Sequence, residues 1–212
     1  MIHKRAIYLP MVGITTLIIG IWAIKIYKDQ LPLVDEWTRG FVASLQDTAI
    51  FDFFRVITEL GSGSFLVPFT IIAALFLFYI FKDWFPALLF SGGTLGVHLF
   101  NKFIKGLVER ERPRIWEEAN AEGFSFPSGH AMIPIVCYGI FAYYISKKIK
   151  STKLKLLVKV LFALLIFLIG FSRYVINVHY LTDIITGFFI GFGCLILLIS
   201  IDKWVMKRRT QS

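Results

Sequence analysis

The sequence predicts an all-α polytopic membrane protein, a bundle of six transmembrane helices with interfacial helices between the first and second spans. Three observations predict it. Of 212 residues, 57% are hydrophobic and 17% charged, with a mean hydropathy of +0.70, whereas soluble domains run about 45–50% apolar and about 25% charged. The apolar residues gather into six runs, most of them close to the roughly 20 residues that a helix needs to cross a bilayer. Charged residues flank these runs instead of forming one basic face. Disorder is excluded, because such a chain has ample apolar surface to bury. Six spans leave short connections and no room for a separate soluble domain, so residues 1–212 are expected to form a single integral-membrane unit.

The first run, Ile7 to Tyr27, follows His3, Lys4 and Arg5. It is longer than a signal-peptide core and no small-residue cleavage site follows it, so it is expected to be a retained span. The others run from Ser64 to Phe81, Phe85 to Phe103, Ala131 to Ile145, Leu154 to Phe171 and Leu181 to Ile201. Lipid offers no partners to open backbone groups, and runs this long and uniform do not suit barrel strands; they are expected to be helices. Between the first two lies a polar segment, residues 29–61, studded with Trp37, Phe41, Phe51, Phe53 and Phe54. That mixture points to one or two amphipathic helices lying at the membrane surface. Cys137 and Cys194 both sit inside apolar runs, where cysteine behaves as a small hydrophobe.

Charge sets the expected orientation. With both termini cytoplasmic, 13 of the 23 Lys and Arg lie inside, and five of the remaining ten belong to the one connection from Asn101 to His130. Setting those five aside as functional leaves a clear inside excess. The net charge of +9 then fits a membrane surface or a phosphorylated lipid better than nucleic acid.

That outward connection carries the chemistry. Lys105 and Arg112 are seven residues apart, close to two helical turns, and share a face if the third helix continues beyond the membrane to Pro113. Pro127-Ser128-Gly129-His130 directly precedes the fourth span; Ser128 suits an N-cap, and free amides at a helix start form an anion site. After the fifth span come Ser172-Arg173, then His179 and Asp183, four apart at the start of a helix and expected to touch. Lys105 or Arg112 alone would read as a snorkelling cation, and a lone His130 as a surface residue. A carboxylate opening an apolar helix, by contrast, faces the bundle interior with a partner. Three cations, two histidines and one carboxylate on one membrane side make a phosphate-processing site.

Lys105-Gly-Leu-Val-Glu-Arg-Glu-Arg112-Pro113, Pro127-Ser128-Gly129-His130 and Ser172-Arg173…His179…Asp183 resemble the three signature motifs of the type 2 phosphatidic acid phosphatase superfamily. The match covers every motif position in order, and the six-helix pattern extends it over nearly the whole chain. The small six-span form resembles bacterial phosphatidylglycerophosphatase B-like enzymes and the related undecaprenyl pyrophosphate phosphatases. The resemblance implies His179 as a nucleophile forming a phosphohistidine, Asp183 as its orienting carboxylate, and His130 as the acid and then base. It implies Lys105, Arg112, Arg173, Ser128 and Gly129 as phosphate binders. No metal or other cofactor is implied, since the three cations do the work that metals do elsewhere.

The expected activity is hydrolysis of a terminal phosphomonoester on a membrane lipid at the outer face of the plasma membrane. Phosphatidylglycerophosphate is the first choice of substrate and undecaprenyl pyrophosphate the second. A phospholipid transporter or non-catalytic binder is the rival of another class; it would need the cations, but not His179 with Asp183 and a second His130. Soluble haloperoxidases share similar motifs, and the apolar spans exclude that setting. Three further expectations concern the bundle. Gly187/Gly191 and Gly92/Gly96 have the small-xxx-small spacing of close helix contacts; His98 reads as a hydrogen-bonded interior residue; and Glu117, Glu118 and Glu122, with Trp116 as anchor, are expected to gate the site.

Overall fold

The computed structural model describes residues 2–113 and 123–211, with side chains from Gly13 onward. Trp116, Glu117, Glu118 and Glu122 lie outside the described residues. Among the described residues eight helices follow one another: α1 (Ile2–Tyr27), α2 (Leu33–Ala43), α3 (Ala49–Glu59), α4 (Gly63–Phe81), α5 (Trp84–Val108), α6 (Gly129–Lys148), α7 (Thr152–Val175) and α8 (Leu181–Arg209). Four of them, α4, α6, α7 and α8, are long and apolar enough to cross a membrane. The described side chains of α1 cover only the shorter apolar stretch Gly13–Tyr27. At 25 residues α5 is long enough, but it is diluted by Ser91, Gly92, Gly93, Thr94, Gly96, His98 and Asn101.

The helix boundaries have local causes. Thr48, Ser62, Asp83 and Ser151 each accept a backbone N–H two or three residues on, capping α3, α4, α5 and α7. Lys82 and Glu109 end α4 and α5 in left-handed conformation, each sending its N–H back four residues to close the last turn. The consequence for α5 is a correction: it stops at Val108, so Arg112 is not on the helix that carries Lys105. The two cations meet the site from different pieces of chain.

Helix α6 is the axis of the bundle, packed by α7, α8 and α5, with α4 completing the layer through α5. Its 61% burial, against 11–22% for α4, α7 and α8, explains why its sequence is not amphipathic: there is little lipid-facing side to distinguish. The core joins Leu77, Phe90, Met132, Val136, Ile140, Tyr144 and Ile169. Gly187 and Gly191 let α8 lie against α6, since a Cβ at either would stand 2.7 Å from the carbonyl oxygen of Ser128 or Met132. Gly92 and Gly96 do not have this role; a Cβ at either would meet nothing within 4 Å, and Gly93 is the α5 glycine that faces α8, at Leu198. His98 is likewise exposed on α5, whose inner face carries Thr94, Val97 and Asn101. It falls one residue past Val97, on the outer shoulder.

The 29–61 segment forms the two short helices α2 and α3, which pack on α8 and α7. Both turn apolar residues outward, including Trp37, Phe41, Phe53 and Val56. Their buried positions include the polar Asp35 and Thr58. Each helix therefore has an apolar outer face and an inner face that includes a polar residue.

Candidate active site

The C-terminal ends of α5 and α7 and the N-terminal ends of α6 and α8 meet beneath α2 and α3, and the residues of all three sequence motifs collect there. Asp183, in the first turn of α8, is fully buried. Its Oδ2 accepts the Ser125 hydroxyl and, at 2.9 Å, the Tyr180 N–H, while its Oδ1 accepts Arg110 Nη1 at 2.5 Å. His179 Nδ1 lies 3.3 Å from the same Oδ2. The two residues do touch, although His179 precedes α8 in the turn that leads into it.

The tautomer of His179 follows from the carboxylate and the guanidinium beside it; the Ser125 hydroxyl, also 3.3 Å from Nδ1, gives its own proton to Asp183. A carboxylate can only accept, so Nδ1 carries the proton. On the other side Arg112 Nη1 lies 3.1 Å from Nε2, and a guanidinium can only donate. Nε2 therefore presents its lone pair toward the Arg112 guanidinium. Burial, followed by the cations Arg112, Arg173 and Lys105, holds the His179 pKa well below the ordinary histidine range. The ring is thus neutral and nucleophilic at neutral pH.

The cations are held mainly by neutral groups. Arg112 Nε and Nη1 donate to the carbonyls of Gly123 and Val178 at 2.8 and 2.9 Å. Lys105 donates to the Phe124 carbonyl. Arg173, 6% exposed, donates through Nη1 to Thr58 of α3 at 3.1 Å, and its buried Nε has no protein partner among the described residues.

Ser128 differs from its expected role. It occupies the N-cap position of α6 without a side-chain capping bond, and its buried hydroxyl is also without a partner among the described residues. Its own amide donates to the Asp183 carbonyl at 3.1 Å, so the free amides at this helix start begin at Gly129. Asn101 holds the loop in place by donating to the Pro127 carbonyl at 3.2 Å. His130 follows in the first turn, half-buried and close to Gly61; a Cβ on that glycine would come within 2.8 Å of the imidazole.

Sequence reasoning missed Arg110, Ser125, Asp35 and Thr58. The one signal available was the third cation inside the first motif, two residues before Arg112. Asp35 and Thr58 lie far away in the chain, and no pattern links them to it. Among the described residues no three His, Cys, Asp or Glu side chains are grouped to hold a metal ion.

A buried, oriented histidine facing a cluster of cations at a helix start is the apparatus of a phosphoryl-transfer enzyme. Residues 65–207 match the PAP2 superfamily, and the chain belongs to it: it is a multi-pass membrane phosphatase of that class. Among its relatives is phosphatidylglycerophosphatase B of Bacillus subtilis (strain 168), 30% identical over 89% of this chain and 93% of that protein. Dolichyldiphosphatase of Saccharomyces cerevisiae is 27% identical over 71% of this chain and 66% of its own length. The fold matches the crystal structure of a transmembrane PAP2-type phosphatidylglycerolphosphate phosphatase from Bacillus subtilis, with a TM-score of 0.78 and 26% identity. That match covers 89% of this chain and 96% of the other.

Proposed function

We propose that the protein removes the terminal phosphate of a membrane lipid, phosphatidylglycerophosphate giving phosphatidylglycerol, without a metal ion. The reading rests on one observation above all: His179 is fixed between Asp183 and Arg112 so that its nucleophilic nitrogen points at the cations. Nε2 attacks phosphorus while Arg112, Arg173, Lys105, the Ser128 hydroxyl and the amides from Gly129 onward bind the equatorial oxygens. Burial and the same cations hold the His130 pKa well below the ordinary histidine range. The bound phosphate offsets them, so that His130 takes up a proton with the substrate and gives it to the departing alcohol oxygen. It then takes one from the water that cleaves the phosphohistidine. Asp183 holds the Nδ1 proton throughout and balances the positive charge on the ring.

The whole chain, residues 1–212, acts as one unit with six spans, both termini in the cytoplasm and the site at the outer face of the plasma membrane. The inside excess of Lys and Arg supports this orientation. The choice of substrate is supported by the name of the Bacillus subtilis relative. A second reading, hydrolysis of undecaprenyl pyrophosphate, is favoured by the similarity to a dolichyldiphosphatase and by a site on the outer face.

Phosphate release by the detergent-solubilised protein tests these statements together. Phosphatidylglycerophosphate, phosphatidic acid and undecaprenyl pyrophosphate are offered side by side, with and without EDTA and with His179→Ala as control. The expected result is fastest release from phosphatidylglycerophosphate, unchanged by EDTA and lost in the variant. Faster release from undecaprenyl pyrophosphate selects the second reading, loss with EDTA rejects the metal-free mechanism, and no turnover on any lipid rejects the enzyme.

A further inference from the structure

We propose that Arg110 is a positioning residue for the phosphatase reaction and that Asp35, on the interfacial helix α2, is the counter-charge that holds it. The proposal rests on the phosphohistidine reading above and extends it to a part of the chain outside the three motifs.

Arg110 is buried, 9% exposed, and both terminal nitrogens are engaged. Nη1 donates to Asp183 Oδ1 at 2.5 Å and to Thr182 Oγ1 at 2.9 Å; Nη2 donates to Asp35 Oδ2 at 2.8 Å. Asp35 is itself 1% exposed. It also accepts the Thr182 amide at 3.0 Å on Oδ1 and the Thr182 hydroxyl at 2.6 Å on Oδ2. The guanidinium lies 3.9 Å over the Tyr180 ring, so its plane as well as its ends are fixed. The result is a continuous line from α2 to the nucleophile: Asp35, Arg110, Asp183, His179.

Charge explains why two carboxylates share one guanidinium. Buried ion pairs are weak contributors to stability, and this cluster carries one negative charge in excess. When Nε2 bonds to phosphorus and the ester P–O bond breaks, the alcohol oxygen takes its proton from His130. The imidazole, still holding its Nδ1 proton, is left positively charged. The excess negative charge of the cluster lies directly behind it. Arg110 keeps Asp183 ionised and aimed, and Asp35 keeps Arg110 from swinging toward the substrate phosphate. Because Arg110 serves the carboxylate, its loss should lower turnover and leave substrate binding alone.

The test is steady-state kinetics of Arg110→Gln, Arg110→Lys, Asp35→Asn and the double variant Arg110→Gln/Asp35→Asn on the best lipid substrate. Turnover is expressed per active site titrated by the phosphoenzyme burst, and thermal unfolding is followed in parallel. Arg110→Gln is expected to lower kcat about 10- to 100-fold, as for the loss of a charge-assisted hydrogen bond, with KM within about twofold. Arg110→Lys recovers part of that loss, since it keeps the charge but not the fork. Asp35→Asn, nearly isosteric, gives a smaller loss with the same split, and the double variant falls no further than Arg110→Gln alone.

A kcat per site within twofold of wild type in Arg110→Gln, or a rise in KM at constant kcat, overturns the proposal; the latter would make Arg110 a phosphate ligand. Additive losses in the double variant overturn the role of Asp35. A wild-type protein without turnover on any lipid phosphate overturns the functional reading, and this proposal with it.

Discussion

Helix α8 buries an aspartate at each end of the bundle; both are ion-paired, but the other cations around them are treated in opposite ways. Asp202, 1% exposed, accepts the hydroxyls of Tyr143 and Tyr144 at 2.6 and 2.8 Å and the Lys147 ammonium at 2.5 Å, all from α6. One carboxylate meets one cation, and the hydroxyls satisfy what remains. Asp83 and Arg209 form a second pair nearby, at 2.6 Å. At the other end Asp183 is also saturated, but around it Lys105 is held by a carbonyl and Arg173 by a hydroxyl. Neutral acceptors orient a cation without cancelling its charge. The first arrangement ties helices together; the second leaves positive charge pointed at a common place, beside the neutral imidazole of His179.

The largest effect expected from breaking this contrast is at His179. His179→Ala should lower kcat by at least about 10⁴-fold, read as phosphate release, with the thermal unfolding midpoint unchanged within error. The opposite outcome, an active His179→Ala, would put the nucleophile elsewhere. At the other end Asp202→Asn should do the reverse. It leaves Lys147 without its counter-ion and costs stability on the order of 2–4 kcal/mol. Turnover of the folded fraction should stay within about twofold, measured by unfolding in detergent alongside kinetics.

A third comparison separates the two glycine pairs. Gly187→Ala pushes a methyl against the Ser128 carbonyl, 2.7 Å away on the helix that carries the site, and should cost about 1–3 kcal/mol together with activity. Gly92→Ala meets nothing within 4 Å and should stay within about 0.5 kcal/mol of wild type. Equal effects would mean that the two stripes are packed alike.

Much of the site could be read from the sequence because its residues lie in short local patterns. His179 and Asp183 touch, as their four-residue spacing predicts, although His179 sits in the turn before α8 and not on the helix. What was hidden depends on long-range geometry. The left-handed conformation of Glu109 ends α5, and nothing in Val-Glu-Arg-Glu-Arg announces it, so Arg112 was expected on the helix face of Lys105. No local pattern marks Asp35 among the charges of the 29–61 segment. Its burial depends on α2 presenting Trp37 and Phe41 to the outside and its carboxylate to Arg110, a pairing across 75 positions. His98 was expected inside because a histidine in an apolar run is costly on the lipid side; the inner face of α5 is one residue away, at Val97.

The smallest expected effect is a shift in pH dependence. Burial, then Arg112, Arg173 and Lys105, depress the His179 pKa, so the acid limb of kcat/KM should lie below the ordinary histidine value of about 6.5. Arg112→Gln removes a cation and lets the ring protonate more easily. The limb should therefore move upward, by about one pH unit or less, while Arg112→Lys leaves it in place. Ionisation of the lipid phosphate is common to all three proteins, so the difference between them reports on the two site histidines, since Arg112 also depresses His130. A limb that stays put in Arg112→Gln would mean that this guanidinium does not act on the ring.

The central claim is that phosphate passes through His179, and the most direct measurement is to trap it there. The protein is mixed with lipid carrying radiolabelled terminal phosphate and quenched in alkali within the first turnover, and the label is mapped by peptide. The account predicts an alkali-stable, acid-labile label on His179, absent from His179→Ala. Label on another residue, or a wild-type enzyme that turns over with no covalent label at any quench time, would contradict it.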